Sequence, residues 1–170
     1  MPRPPKKEKE PTAGPEKPVK RKDIPRLPKE DTEYIVKFYF YYDESAKKQF
    51  YVISLETIKI FRTLSYGISV DVQKTKDTID IKILGLNTKS SFIITPKAAS
   101  TELFFEDLYG TFNIAVHKHN KLANSITAMF NIFTKTITLK KDISKAAKSA
   151  KKQFCSFEVD ESKYSFKEKK

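Results

Sequence analysis

The chain has 170 residues, with 33 lysines and arginines against 21 acidic residues and a net charge of +12. One cysteine, Cys155, excludes an intrachain disulfide, and four scattered glycines (Gly14, Gly67, Gly85, Gly110) exclude a glycine-rich phosphate cradle. No apolar run reaches the roughly 18 residues of a membrane-spanning helix. The first 30 residues also lack the apolar stretch of a secretory signal, so the expected location is intracellular, cytoplasmic or, in a eukaryotic or viral setting, nuclear.

Eight of the nine prolines fall within the first 28 residues, interleaved with lysine and arginine. Proline fixes φ and removes backbone donors, and Val19, Ile24 and Leu27 are the only sizeable apolar side chains here. Residues 1–31 therefore read as a disordered basic arm with net charge +4. Within it, Lys6-Lys7 and the later run Pro18-Val19-Lys20-Arg21-Lys22 fit the loose two-cluster pattern of a nuclear localisation signal.

A single β-rich globular domain is expected over 32–139, with about eight strands. Glu33–Tyr42 is dense in aromatic and branched residues, and Gln49–Ser54 resumes the pattern as the second arm of a hairpin. Gly67–Lys74 and Thr78–Leu86 alternate apolar and polar residues around a turn at Thr75-Lys76-Asp77, which directs Ile79, Ile81 and Ile83 inward. Short strands are expected at Ser91–Thr95 and Glu102–Glu106, and long ones at Gly110–Lys118 and Ser125–Leu139. Strands this frequent, joined by short polar turns, specify a mainly β fold, an antiparallel sandwich or barrel with one or two short helices, with α+β as the alternative.

Two segments carry helical patterns. In Ser54–Tyr66, Leu55, Ile58, Phe61 and Leu64 recur every third position between a capping serine and a terminating glycine, which favours a helix over a strand. Asp142 can cap a second helix, with Ile143, Ala146, Ala147, Ala150 and Phe154 on one face and lysines off it. Residues 140–170 then form a basic helix and tail of net charge +5; Cys155–Val159 could add an edge strand, and Lys163–Lys170 reads as a loose end.

Few residues suit covalent chemistry. His117 and His119 would share one face of a strand, but no third metal ligand lies nearby, and the adjoining Lys118 and Lys121 oppose a cation. Cys155 has only these histidines as candidate bases, and Glu102, Glu106 and Asp107 read as solvated charges at a strand end. No catalytic residue, metal or cofactor is assigned.

Binding is the better reading. Excess positive charge at both ends is drawn to a polyanion, RNA or DNA, or to an acidic protein, and Lys6, Lys7, Lys20, Arg21, Lys22, Lys148, Lys151 and Lys152 are the expected phosphate contacts. Lysine outnumbers arginine heavily, which favours contact without sequence preference. The alternative is a structural subunit, capsid- or scaffold-like, whose body self-associates as a homo-oligomer and whose arm threads between neighbours. The aromatic run Phe38–Tyr42 offers another clue. If one of its faces is open, its rings beside Lys37, Lys47 and Lys48 would form a stacking platform for single-stranded bases.

Overall fold

Alternation of inward apolar and outward polar side chains builds nine strands, seen in a computed structural model that describes residues 32–90, 95–118, 121–141 and 153–167. These are β1 (Tyr34–Asp43), β2 (Lys48–Phe61), β3 (Ser65–Lys74), β4 (Thr78–Lys89), β5 (Lys97–Phe105), β6 (Gly110–Lys118), β7 (Lys121–Asn131), β8 (Thr136–Lys141) and β9 (Cys155–Val159). They form one sheet in the order β8-β7-β6-β4-β3-β5-β2-β1-β9, curled into a nearly closed barrel. The mainly β, barrel-like class expected from the alternation is the one observed. Among the described residues the sheet is mixed: β1–β9, β4–β6 and β3–β5 pair in parallel, and the other pairings are antiparallel.

The barrel interior is filled by every second residue of its strands. Phe38 and Phe40 of β1, Ile53 and Leu55 of β2, Ile79 and Ile81 of β4, and Ile114 and Val116 of β6 are fully buried. Phe130 of β7 ties the two sides together, its ring edge-on to Phe38 at 6.1 Å and to Tyr51 at 5.8 Å. Each such fully buried side chain contributes about 1.5–3 kcal/mol, so this interior supplies the main driving force of folding.

Residues 54–66 are not helical. Ser54 to Phe61 continue β2 against β1 and β5, and Arg62-Thr63-Leu64 turns the chain into β3. The period of three misleads because the residues do not share a face: Leu55 is buried while Ile58 and Leu64 are exposed. An irregularity between Glu56 and Ile60 shifts the strand's phase. Thr57 mends the broken ladder there, its hydroxyl accepting from Ala99 N (3.0 Å) and donating to Lys59 O (2.8 Å). Gly67, expected to end a helix, lies inside β3 beneath the Lys89 side chain, where a Cβ would come within 2.6 Å of Lys89 Cε.

The run Ser125–Leu139 also differs from its expected single strand, folding back as β7 and β8 around Ile132–Lys135. The C-terminal residues do more than tail off. Cys155–Val159 is the expected edge strand, lying parallel to β1. Beyond it a 3₁₀ turn at Glu161–Lys163 leads to Ser165, whose N–H donates to Phe40 O at 2.9 Å. Tyr164 and Phe166 pack on the Phe40 ring at 5.1 and 5.4 Å, so residues 163–167 are not a loose end. The two aromatics are two residues apart and both turn onto the core, which anchors the segment.

The seam between β8 and β9 is bridged rather than laddered. Asn124 Oδ1 on β7 accepts from Phe154 N (3.0 Å) and Cys155 N (2.8 Å), while Phe154 O accepts from Glu33 N (2.8 Å) and Tyr34 N (3.1 Å). Phe154 is buried edge-on against Tyr34. The expected basic arm (1–31), the strand at Ser91–Thr95 except for Thr95, and most of the helix capped by Asp142 lie outside the described residues.

Candidate functional site

Strand alternation sends Tyr39 and Tyr41 to the outer face of β1, and the register sets Val52 and Phe50 of β2 beside them. Val52 in turn faces Phe104 of β5, so three strands contribute to one aromatic floor. The Phe104 ring stands edge-on to Tyr41 at 5.9 Å and to Phe50 at 5.8 Å. Tyr39 is buried, but Tyr41 and Phe104 remain 40% and 49% exposed. Lys163 and Ser165 from the C-terminal segment wall one side, enclosing a groove of about 650 Å³.

Carboxylates edge this groove. Tyr39 donates its hydroxyl to Glu102 Oε1 at 2.7 Å, and Asp43 stands at the end of β1. Burial, aided by that hydrogen bond, holds the Tyr39 phenol well above its ordinary range, so it stays a neutral donor. Lys163 Nζ sits 5.1 Å from the Tyr39 ring centre and 3.6 Å from Glu56 Oε1. Lys37 is held by Glu56 at 2.7 Å, a bond that raises its ammonium pKa, and Lys48 by Glu106 at 2.9 Å. Among the described residues no lysine or arginine pairs with Asp43 or Glu102.

The aromatic face is thus open, but its charge differs from that of a platform for nucleic acid. Lys37 and Lys48 are occupied by carboxylates, and Asp43 and Glu102 would repel a phosphate backbone. The rings of β1 were legible in the sequence as a candidate surface. Phe104 and Lys163 were not, although Glu102-Leu103-Phe104-Phe105-Glu106 places a phenylalanine on the same side as two glutamates, a signal of an outward ring among charges.

A second hollow, of about 440 Å³, lies where the chain enters β1. Ile58, Phe61 and Leu86 line it together with Glu33, and the neighbouring Ile60 is exposed. Leu84, the extra residue where β4 slips against β3, is 68% exposed.

The other singled-out residues do not converge. His117 Nε2 meets Asp80 Oδ1 at 3.0 Å across the β4–β6 pairing, while His119 lies outside the described residues. Among the described residues no three His, Cys, Asp or Glu side chains group to hold a metal. Cys155 is buried, and burial pushes its thiol far above the ordinary range, so it is held as the unreactive thiol. Glu102, Glu106 and Asp107 each serve a different partner: Tyr39, Lys48 and Lys74. Lys74 lowers the Asp107 pKa. Lys6, Lys7, Lys20, Arg21, Lys22, Lys148, Lys151 and Lys152 all lie outside the described residues. Among the described residues, no helix is long and apolar enough to cross a membrane.

Fold and groove together define a mainly β, barrel-like protein with an acid-edged aromatic cleft. No protein-family model, curated protein or solved structure matches the chain.

Proposed function

We propose that the protein is a non-catalytic binding module whose Lys-rich ends engage a polyanion, RNA or DNA, with little sequence preference. The observation that carries this reading is the partition of charge. On the barrel, Lys37, Lys48, Lys74, Lys82 and Lys118 are drawn into ion pairs. Residues 1–31 and 140–170 carry +4 and +5 of the total of +12. A polyanion would therefore be drawn to the ends rather than to the strands, releasing counterions as it binds. Lys6, Lys7, Lys20, Arg21, Lys22, Lys148, Lys151 and Lys152 are the proposed contacts.

Affinity for a mixed single-stranded oligonucleotide, measured across salt concentrations, tests this. If all eight cations engage, log K falls against log salt with a slope of about −6, and Lys20→Glu/Arg21→Glu/Lys22→Glu makes it shallower by about 2. A flat salt response, or an unchanged slope in the triple variant, overturns the assignment to the arm.

A second reading, self-association as a structural subunit, is favoured by the apolar surface at Ile58, Ile60, Leu84 and Leu86. Light scattering separates the two: a defined large particle supports it, and a nucleic-acid-free monomer argues against it.

A further inference from the structure

We infer that the aromatic groove on β1, β2 and β5 receives the segment Pro15–Lys22 of the chain's own N-terminal region. The chemistry of the groove points to a cationic, proline-containing ligand. Its floor is the ring set Tyr41, Phe50 and Phe104, and its edge carries the carboxylates of Asp43 and Glu102, which accept hydrogen bonds from turn N–H groups and from Tyr39 but have no lysine or arginine partner among the described residues. Grooves lined by aromatics take extended segments with prolines three residues apart, because three residues per turn bring both prolines to one face. The groove already holds one ammonium in this manner, that of Lys163 over Tyr39 and beside Glu56.

The chain supplies a matching ligand. Pro15-Glu16-Lys17-Pro18 has the required spacing and is followed within two residues by Lys20-Arg21-Lys22. Length selects it from the other proline pairs of the same spacing. Tyr41 lies nine residues into the described chain from Thr32, about 30 Å along a strand. Pro25 and Pro28 are seven and four residues before Thr32, so even fully extended they reach only about 25 Å and fall short. Pro18 is fourteen residues before it and reaches about 43 Å, enough to turn and return along the outer face. Pro2 and Pro5 would close a loop about twice as long, at greater entropic cost. Covalent attachment presents the segment at an effective concentration on the order of mM, so weak contacts suffice to fill the groove. Docking places Arg21 and its neighbours against Asp43 and Glu102, which makes the groove a competitor for cations that the polyanion would otherwise take.

Paramagnetic broadening in the full-length protein, without nucleic acid, tests the inference. A nitroxide is attached at Lys20→Cys, the buried Cys155 remaining unlabelled. The amide resonances of Tyr41, Phe50 and Phe104 are expected to lose most of their intensity while those of β6 keep theirs. Phe104→Lys, or Arg21→Glu/Lys22→Glu, which leaves the barrel untouched, should restore the lost signal. Uniform broadening, no broadening, or broadening that persists in Arg21→Glu/Lys22→Glu overturns the inference. So does broadening that appears only when label and isotope are on different molecules, since the occupant is then a second copy. Any of these results leaves polyanion binding to be judged by its own salt titration.

Discussion

Lys47 and Lys135 occupy equivalent places at the ends of two hairpin loops, each with positive φ (54° and 55°), a region that disfavours any residue with a Cβ. The loops share a second device. Asp43 Oδ1 accepts from the N–H groups of Ser45 and Ala46, and Asn131 Oδ1 accepts from those of Phe133 and Thr134. An Asx side chain thus folds each turn and a lysine closes it, without glycine or proline. This is why the break at Asp43–Lys48 was readable, being polar, whereas Ile132-Phe133 concealed the second turn inside an apolar run. Lys47→Gly is expected to stabilise the protein by about 0.5–1 kcal/mol, seen as a higher urea midpoint. Lys135→Gly should gain less, because Lys135 Nζ lies 4.4 Å from the Phe166 ring centre and that cation–π contact is lost.

Strands β3, β4 and β6 were legible because one face of each meets the interior and the other does not, so Ile79, Ile81 and Ile83 alternate with Asp80 and Lys82, whereas β1 was legible from its density of aromatic and branched residues. Strand β2 was legible over Gln49–Ser54, but its continuation past Ser54 hid its nature. Tyr51 to Leu55 are buried without a break, since Tyr51, Ile53 and Leu55 face the core while Val52 and Ser54 lie beneath the outer-face side chains. Beyond it the shift between Glu56 and Ile60 breaks the alternation, and the accidental period of three through Leu55, Ile58, Phe61 and Leu64 fills the gap. Closure of the seam between β8 and β9 was equally unreadable, because its bridge is an asparagine on β7 thirty and thirty-one residues from its donors. Asn124→Ala leaves two backbone N–H groups without this acceptor and is expected to cost about 1–3 kcal/mol. Hydrogen exchange at Phe154 and Cys155 should accelerate in that variant ahead of exchange in β4 and β6; uniform acceleration would mean that Asn124 does not hold the seam.

At the scale of the whole molecule, the titrating groups raised by burial act in one direction. Cys155 is raised above its ordinary 9.0, Tyr34, Tyr39 and Tyr51 above 10.0, and Tyr164 is pushed up to about 12. Each keeps its proton in the folded state at pH values where the unfolded chain has released it. The unfolded state then binds fewer protons, and stability falls as pH rises. Lys37, raised by its bond to Glu56, adds to the trend: its contribution is complete below the unfolded pKa and disappears as pH climbs through the folded one. Urea midpoints should therefore decline from about pH 9 and more steeply beyond 10, and Cys155→Ala should flatten the first part of that decline. A midpoint that does not move between pH 8 and 11 would contradict these shifts. The pairing of β1 with β9 has a temporal side as well. During synthesis the first hairpin is complete more than ninety residues before Cys155–Val159, so the outer edge of β1 has no strand beside it until those residues have been made. A nascent chain paused ahead of that point exposes a ready template for aggregation, and β9 is the strand that removes it.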